Sequence, residues 1–194
     1  MKEKEKKRYL FFDIECANPY IGTICEFGYV ITDEDLNIIE SNNLYLNPKS
    51  KYDWYAAKNI LAFSKNFYNS QKDFRYHYNE IKRVFESVDF VFGYACLNDL
   101  TYLKKEFKRY NCKDIDFKTF EIQDIIRYYT NAENVIGLEK AMSLFMIQND
   151  GILHHAKDDA INSMKIVKHI KESLDTSLTL LMGKVNLNFK KSLV

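Results

Sequence analysis

Two acidic side chains interrupt an otherwise apolar segment near the start of the chain. Asp13 and Glu15 lie in residues 9–16, YLFFDIEC, whose aromatic and β-branched content predicts a buried strand. Residues two apart on a strand project from the same face, so both carboxylates would point to one place. Buried together they would repel each other and lose hydration, and a divalent cation is the natural counter-charge. The alternative is a pair at a strand edge that faces water.

A second candidate group lies in the segment HHAKDDA at residues 154–160. An imidazole just before a helix and an acid on the first turn of that helix can point to a common site. Such a segment would place a base beside a metal ligand. A histidine pair before a helix is also compatible with a helix cap or a surface feature.

Three segments together resemble the motifs of the DEDDh 3′-to-5′ exonucleases, a family that includes polymerase proofreading subunits, RNase T and oligoribonuclease. Residues 12–18, FDIECAN, resemble the first motif. Residues 92–99, FGYACLND, with Leu103, are similar to the second, in which a glycine after a strand precedes a metal-binding aspartate. Residues 154–160 resemble the third, in which a histidine stands five positions before the last aspartate, and 136–147 look like the preceding helix.

This resemblance covers residues 9–170 and implies both a fold and a chemistry. The implied fold is α/β and ribonuclease-H-like: a mixed sheet of three antiparallel strands and then parallel strands, flanked by helices. The implied cofactors are two divalent cations, Mg²⁺ or Mn²⁺, which suit oxygen ligands. The implied metal ligands are Asp13, Glu15, Asp99 and Asp159, and the implied general base is His154. The positions implied for substrate contact are Ile14, Cys16, Ala17 and Tyr94.

The motifs depart from the usual family pattern at four positions. Cys16 stands where threonine is common, at a position that often helps to hold the terminal nucleotide. Tyr94, Ala95 and Asn98 replace the usual histidine, asparagine and phenylalanine of the second motif. The walls of the nucleotide pocket are therefore expected to differ, whereas the five chemical positions are intact.

The rest of the sequence predicts the elements that would hold these residues. Further strands are predicted at 24–32, 38–46, 89–93 and 117–120, the first two completing an antiparallel meander. Helices are predicted at 53–87, from about 99, and at 124–129, 138–145 and 158–174. Strands followed by alternating strands and helices favour a mixed α/β sheet. Residues 176–194 are ambiguous, because the apolar segment 178–182 either extends the last helix or packs against a partner.

Length and composition favour one globular domain. The 194 residues are predicted to form a charged N-terminal tail at 1–8, an exonuclease domain at 9–174 and a C-terminal extension at 175–194. A net charge of +1 gives no global positive field. No apolar run approaches the roughly 18 residues of a membrane span, and no signal peptide is recognised, so we expect a cytoplasmic protein with no membrane partner. The four cysteines are interpreted as reduced packing residues.

The sequence therefore predicts a metal-dependent 3′-to-5′ exonuclease. Its expected partner is the 3′ end of single-stranded DNA or RNA, from which it would release nucleoside 5′-monophosphates. One alternative is a catalytically weak nucleic-acid-binding or polymerase-accessory module on the same fold, with a polymerase or a second copy as protein partner. Another is a structural domain with chance motif matches. The complete acid set favours the enzyme, because a module without catalysis has no chemical need for clustered carboxylates.

Overall fold

A mixed five-stranded sheet forms the centre of the molecule. The computed structural model describes residues 7–149, 151–152 and 154–191, the side chains of 188–191 excepted, so most of the tail predicted at 1–8 lies outside the described residues. The strands are β1 (Tyr9–Asn18), β2 (Thr23–Thr32), β3 (Ile38–Tyr45), β4 (Phe90–Gly93) and β5 (Thr119–Glu121). Their order is β3-β2-β1-β4-β5, with β1 to β3 antiparallel and β4 and β5 parallel to β1. The predicted ribonuclease-H-like sheet is confirmed.

Helices cover both faces of this sheet. They are α1 (Trp54–Asn59), α2 (Lys65–Asn69), α3 (Phe74–Glu86), α4 (Leu97–Arg109), α5 (Ile122–Thr130), α6 (Leu138–Leu144), α7 (Ala156–Ser173) and α8 (Leu178–Lys191). The helical pattern predicted at 53–87 is divided among three helices, α1, α2 and α3. Ser64 and Asp73 interrupt it, because each side chain caps a new helix by accepting a backbone N–H bond. Helix α7 begins at Ala156, two residues before the predicted position 158.

Strand alternation divides the interior into two cores. Tyr9, Phe11 and Val30 point toward the side of α5, α7 and α8. Phe12 and Tyr29 point toward the opposite side, that of α3 and α4. Residues 13 and 15 continue the face of residues 9 and 11, so the acidic pair at the carboxyl end of β1 lies on the α7 side of the sheet.

The C-terminal segment left open by the sequence is a helix that packs on its own chain. Leu178, Leu181 and Met182 are buried in the same core as Ile125 and Ile126 of α5. Their spacing of three and four residues places them on one face of α8. The proposal that 178–182 forms a partner surface is therefore not supported. Among the described residues, no helix is both long enough and apolar enough to cross a bilayer.

Candidate active site

Three elements carry four carboxylates to one edge of the sheet. Asp13 and Glu15 lie near the carboxyl end of β1, and Asp99 lies in the first turn of α4, the helix that follows the neighbouring strand β4. Because β1 and β4 are parallel, their carboxyl ends meet at the same edge. Asp159 arrives from the other side, in the first turn of α7. The structure thus brings together all four residues implied as metal ligands.

Burial and mutual repulsion make these carboxylates hard to ionise in the absence of a cation. Burial raises the pKa of Asp13 well above its ordinary value, and the negative charges of Asp99 and Glu15 raise it further. The pKa of Glu15 is likewise raised by burial and then by Asp159. Burial raises the pKa of Asp159 to about 6, although the charge and the backbone of His154 oppose the shift. The donor set therefore fits a hard divalent cation, which would relieve these costs.

His154 lies beside this group and completes a candidate metal cluster. Within the described residues, ligand atoms of Glu15, His154 and Asp159 all lie within 4.8 Å of one another. His154 is half-buried and has a φ of 57°, in the left-handed region that non-glycine residues seldom adopt. It occupies the turn just before α7, as the sequence predicted. An imidazole held there can bind a metal ion or take a proton from a water molecule in the same space.

The carboxylates line two neighbouring cavities with shared wall residues, which we together call the groove. The larger, of about 720 Å³, is lined by His154, Asp159 and residues 137–140 at the start of α6. The smaller, of about 460 Å³, is lined by Asp99 and by aromatic residues that include Tyr20 and Tyr55. The residues common to both cavities are Asp13, Ile14, Glu15 and Tyr94. Each cavity is within the size range of small-molecule sites.

The four predicted substrate contacts differ in their placement. Ile14 and Tyr94 line both cavities, and Cys16 lines the smaller one. The hydroxyl of Tyr94 donates to the carbonyl of Ile136 at 2.6 Å, which fixes the ring in the groove wall. Ala17 lines neither cavity, and its fully buried side chain packs in a separate cluster with Cys25 and Tyr68. Its side chain therefore supplies packing.

His155, the second histidine of the pair, is buried away from the groove. It is the N-cap residue of α7. Its Nε2 lies 2.8 Å from the Tyr45 hydroxyl and its Nδ1 lies 2.8 Å from Asp158 Oδ2. Both ring nitrogens are thus engaged in hydrogen bonds within the fold, whereas His154 lines the larger cavity.

Two functional candidates were missed by sequence reasoning because their surroundings depend on distant residues. Glu121 accepts hydrogen bonds from the backbones of Ala95 and Cys96, both at 2.9 Å, and so holds the turn that leads to Asp99. Lys140 is exposed and lines the larger cavity. Neither residue stands in one of the three motifs. For Lys140 the sequence signal was the helix predicted from position 138, and for Glu121 there was no signal.

Similarity to known proteins extends over most of the chain. A family model described as an exonuclease, RNase_T, matches residues 10–167. A search of curated proteins gives no match. Among solved structures, E. coli exonuclease I in complex with a dA16 oligonucleotide has a TM-score of 0.71 at 17% identity, over 92% of this chain and 42% of that one. The chain thus spans less than half the length of exonuclease I.

Two further structures share the fold. The nuclease domain of 3′hExo, a DEDDh family member, bound to rAMP, has a TM-score of 0.70 at 15% identity, over 88% of this chain and 94% of that domain. Cell-death related nuclease 4 has a TM-score of 0.73 at 15% identity, over 86% of this chain and 64% of that one. The family model covers well over half of the sequence. The chain therefore belongs to the RNase_T exonuclease family, and it shares its fold with exonuclease I and with the nuclease domain of 3′hExo.

Proposed function

We propose that this protein is a metal-dependent 3′-to-5′ exonuclease that removes nucleoside 5′-monophosphates from the 3′ end of single-stranded nucleic acid. The observation that carries the proposal is the convergence of Asp13, Glu15, Asp99, Asp159 and His154 in one groove. Burying so many acids without a counter-ion is unfavourable, so the presence of four carboxylates at one place is best explained by a catalytic metal site.

The proposed roles follow from the position of each group. The four carboxylates would hold two divalent cations, Mg²⁺ or Mn²⁺. When bound, such ions make water a better nucleophile and stabilise charge on the departing oxygen. His154 would accept the proton of the attacking water, whose oxygen forms the new bond to phosphorus. The bond from phosphorus to the 3′ oxygen breaks, the shortened strand leaves with that oxygen, and the released nucleotide keeps its 5′ phosphate.

Single-stranded substrates are favoured by exposed aromatic rings near the site. Tyr20 and Tyr55 line the smaller cavity and are 84% and 61% exposed. Rings of this kind can stack on unpaired bases of any sequence. Among the relatives, exonuclease I was solved with a DNA oligonucleotide and 3′hExo with rAMP. We therefore propose that both DNA and RNA are substrate candidates, to be compared directly in one activity panel.

The first prediction is that activity depends on a divalent metal. We expect a 5′-labelled single-stranded oligonucleotide to be shortened from its 3′ end with Mg²⁺ or Mn²⁺, and an excess of chelator to abolish this activity. The panel should include DNA and RNA, single- and double-stranded, at several lengths. Full activity in excess chelator would contradict the proposed mechanism. Oligonucleotide binding without cleavage under every metal condition would support the alternative, an accessory module on the same fold.

A second prediction concerns how a groove lined by acids binds a polyanion. Lys140 is the one lysine or arginine among the described residues that line the larger cavity, and we propose that it contacts a backbone phosphate. Lys140→Gln should raise KM several-fold with kcat unchanged, because the contact is equally strong in the ground and transition states. The slope of log binding constant against log salt should fall by about 0.7, the value for one phosphate of a single strand.

The matched control for Lys140 is Lys118→Gln. Lys118 is exposed and precedes β5, so it lies at the amino end of a strand whose carboxyl end faces the site. The control removes the same charge and should leave KM unchanged. Equal effects of the two substitutions would attribute the change to net charge and would reject a specific contact by Lys140.

A further inference from the structure

The first turn of α7 is capped by side chains of the sheet. The N-cap residue, His155, makes no side-chain capping bond. The backbone N–H of Ala156 donates instead to Oε2 of Glu26 at 3.4 Å, and that of Lys157 donates to Oδ1 of Asn43 at 3.1 Å. Glu26 lies on β2 and Asn43 on β3. The position of this helix end is therefore set by two strands that are distant from it in sequence.

Glu26 is fully buried, and every polar contact that it makes leads to this helix end or to α2. The Tyr68 hydroxyl of α2 donates a hydrogen bond to Oε1 of Glu26. The Asn43 amide donates to Oε2 at 2.8 Å, and the Nε2 of His155 lies 3.9 Å from the same oxygen. A buried carboxylate is costly unless it is hydrogen-bonded in this way, and the positive end of the helix dipole stabilises it further.

Close packing allows little alternative placement of α7. A Cβ atom built on Gly28 of β2 would lie 2.0 Å from the Ala156 carbonyl carbon and from the Lys157 nitrogen. The helix backbone thus rests directly on the backbone of β2. The preceding turn is closed by Asp158, whose Oδ2 accepts from the Ile152 N–H at 3.0 Å. Sliding the helix along the sheet would break the bonds to Glu26.

The helix end held in this way carries two of the proposed active-site groups. Asp159 is in the first turn of α7, and His154 directly precedes the N-cap residue. Glu26 is also the cross-strand partner of Glu15. Neither Glu26 nor Tyr68 is among the residues that line the two active-site cavities. Their connection to the site runs through the end of α7, to which Glu26 is hydrogen-bonded.

We propose that Glu26 and Tyr68 are positioning residues. They hold the first turn of α7 so that the side chains of His154 and Asp159 stay close to that of Glu15. This inference rests on the proposed nuclease function for its kinetic readout and on metal binding for a second, independent one. Loss of the Tyr68 hydroxyl leaves the Glu26 carboxylate buried with one donor fewer. The carboxylate is then expected to shift toward its remaining donors or toward water, and α7 with it.

The test is Tyr68→Phe, with Tyr29→Phe as the matched control. Tyr29 is also fully buried, lies on β2 and donates to the carboxylates of Glu40 and Glu80, on the opposite face of the sheet from α7. Each substitution removes one buried tyrosine hydroxyl that donates to carboxylate, Glu26 in the case of Tyr68 and Glu40 and Glu80 in the case of Tyr29. We expect Tyr68→Phe to lower kcat and the Mn²⁺ association constant each by about 10- to 100-fold, as for groups that orient metal ligands. KM should be unchanged, and Tyr29→Phe should leave all three values near those of the wild type.

Mn²⁺ affinity is measured by calorimetric titration without nucleic acid, so it does not depend on cleavage. Glu26→Gln provides a second variant, expected to change the same two quantities in the same direction. Unchanged kcat and Mn²⁺ affinity in a folded Tyr68→Phe protein would overturn the proposal, as would equal losses in the Tyr29→Phe control. A wild type that binds Mn²⁺ but cleaves no oligonucleotide would reject the proposed function alone. A wild type that binds no Mn²⁺ would reject both.

Discussion

Asp159→Asn is expected to lower nuclease turnover about 1,000-fold and, in metal-free protein, to raise the free energy of unfolding at pH 7.5. A bound metal ion contributes several kcal/mol of transition-state stabilisation, which corresponds to a rate loss of about 10³ when a ligand is removed. The stability gain has the opposite cause. Without metal the folded protein must hold an ionised Asp159 among other acids in a buried site, and an asparagine removes that charge.

The pH dependence of the gain follows from the pKa of Asp159. Burial raises that pKa to about 6 in the folded state, compared with roughly 3.9 in an unfolded chain. Below about pH 4 both states bind the proton, so this group has no effect on stability. As pH rises toward and beyond 6, the unfolded state ionises more readily than the folded state, and the folded protein loses up to about 3 kcal/mol. Asp159→Asn should therefore be most stabilising at pH 7.5 and close to neutral near pH 4.

Urea denaturation in excess chelator at several pH values measures this difference. Asp114→Asn is the control, because Asp114 is exposed and lines a separate cavity beside α4. It removes one negative charge and should change neither the rate nor the pH dependence of stability. A destabilised Asp159→Asn protein at pH 7.5 would show that Asp159 has a favourable partner in the metal-free fold, contrary to the interpretation above.

Comparable rate losses are expected for the other three carboxylates, through Asp13→Asn, Glu15→Gln and Asp99→Asn. Asp99 is the most informative, because its motif departs furthest from the family pattern. In the structure its pKa is raised well above the ordinary value by burial and by the charge of Glu121. Near-normal rates for Asp99→Asn would mean that the second motif is misplaced, and an acid elsewhere in the chain would then be needed.

The parts of the site that sequence predicts are those encoded by local spacing. Residues 13 and 15 share a face because every strand alternates, and a helix that follows an apolar strand places Asp99 at its first turn. What could not be predicted is the register of the paired strands and the approach of side chains from distant helices. In the sequence, Glu26 is simply an acid within an apolar strand. Its contacts depend on the pairing of β2 with β1 and on Tyr68, which lies on a helix 42 residues later.

The start of α7 illustrates the same limit. The apolar spacing of the sequence predicted a helix over 158–174. The helix nevertheless begins at Ala156, because Glu26 and Asn43 satisfy the first N–H groups from outside the segment. A cap supplied by another strand leaves no local pattern. The segment 53–87 is a different case, because its division into three helices has local signals. Ser64 and Asp73 are capping residues, which hydrophobic periodicity does not take into account.

The adjacent histidines are expected to have separable roles. His154→Ala should lower the rate by about 10²- to 10⁴-fold, the usual contribution of a general base, and should flatten the rise of rate with pH near neutrality. His155→Ala should cost stability, about 1 to 3 kcal/mol for the unsatisfied partners that it leaves, with a much smaller effect on rate. Rates from pH 5.5 to 9 and urea denaturation curves for both variants measure these differences.

Metal affinity decides between the two roles open to His154. Its ring lies within 4.8 Å of the ligand atoms of Glu15 and Asp159, so the geometry is compatible with a ligand as well as a base. As a base, His154 leaves the metal to the carboxylates, and His154→Ala should bind Mn²⁺ almost as tightly as the wild type. A large loss of Mn²⁺ affinity, with a rate restored by higher metal concentration, would make His154 a ligand instead. A strong rate loss confined to His155→Ala would reverse the assignment of the two histidines, and the four-carboxylate site would remain.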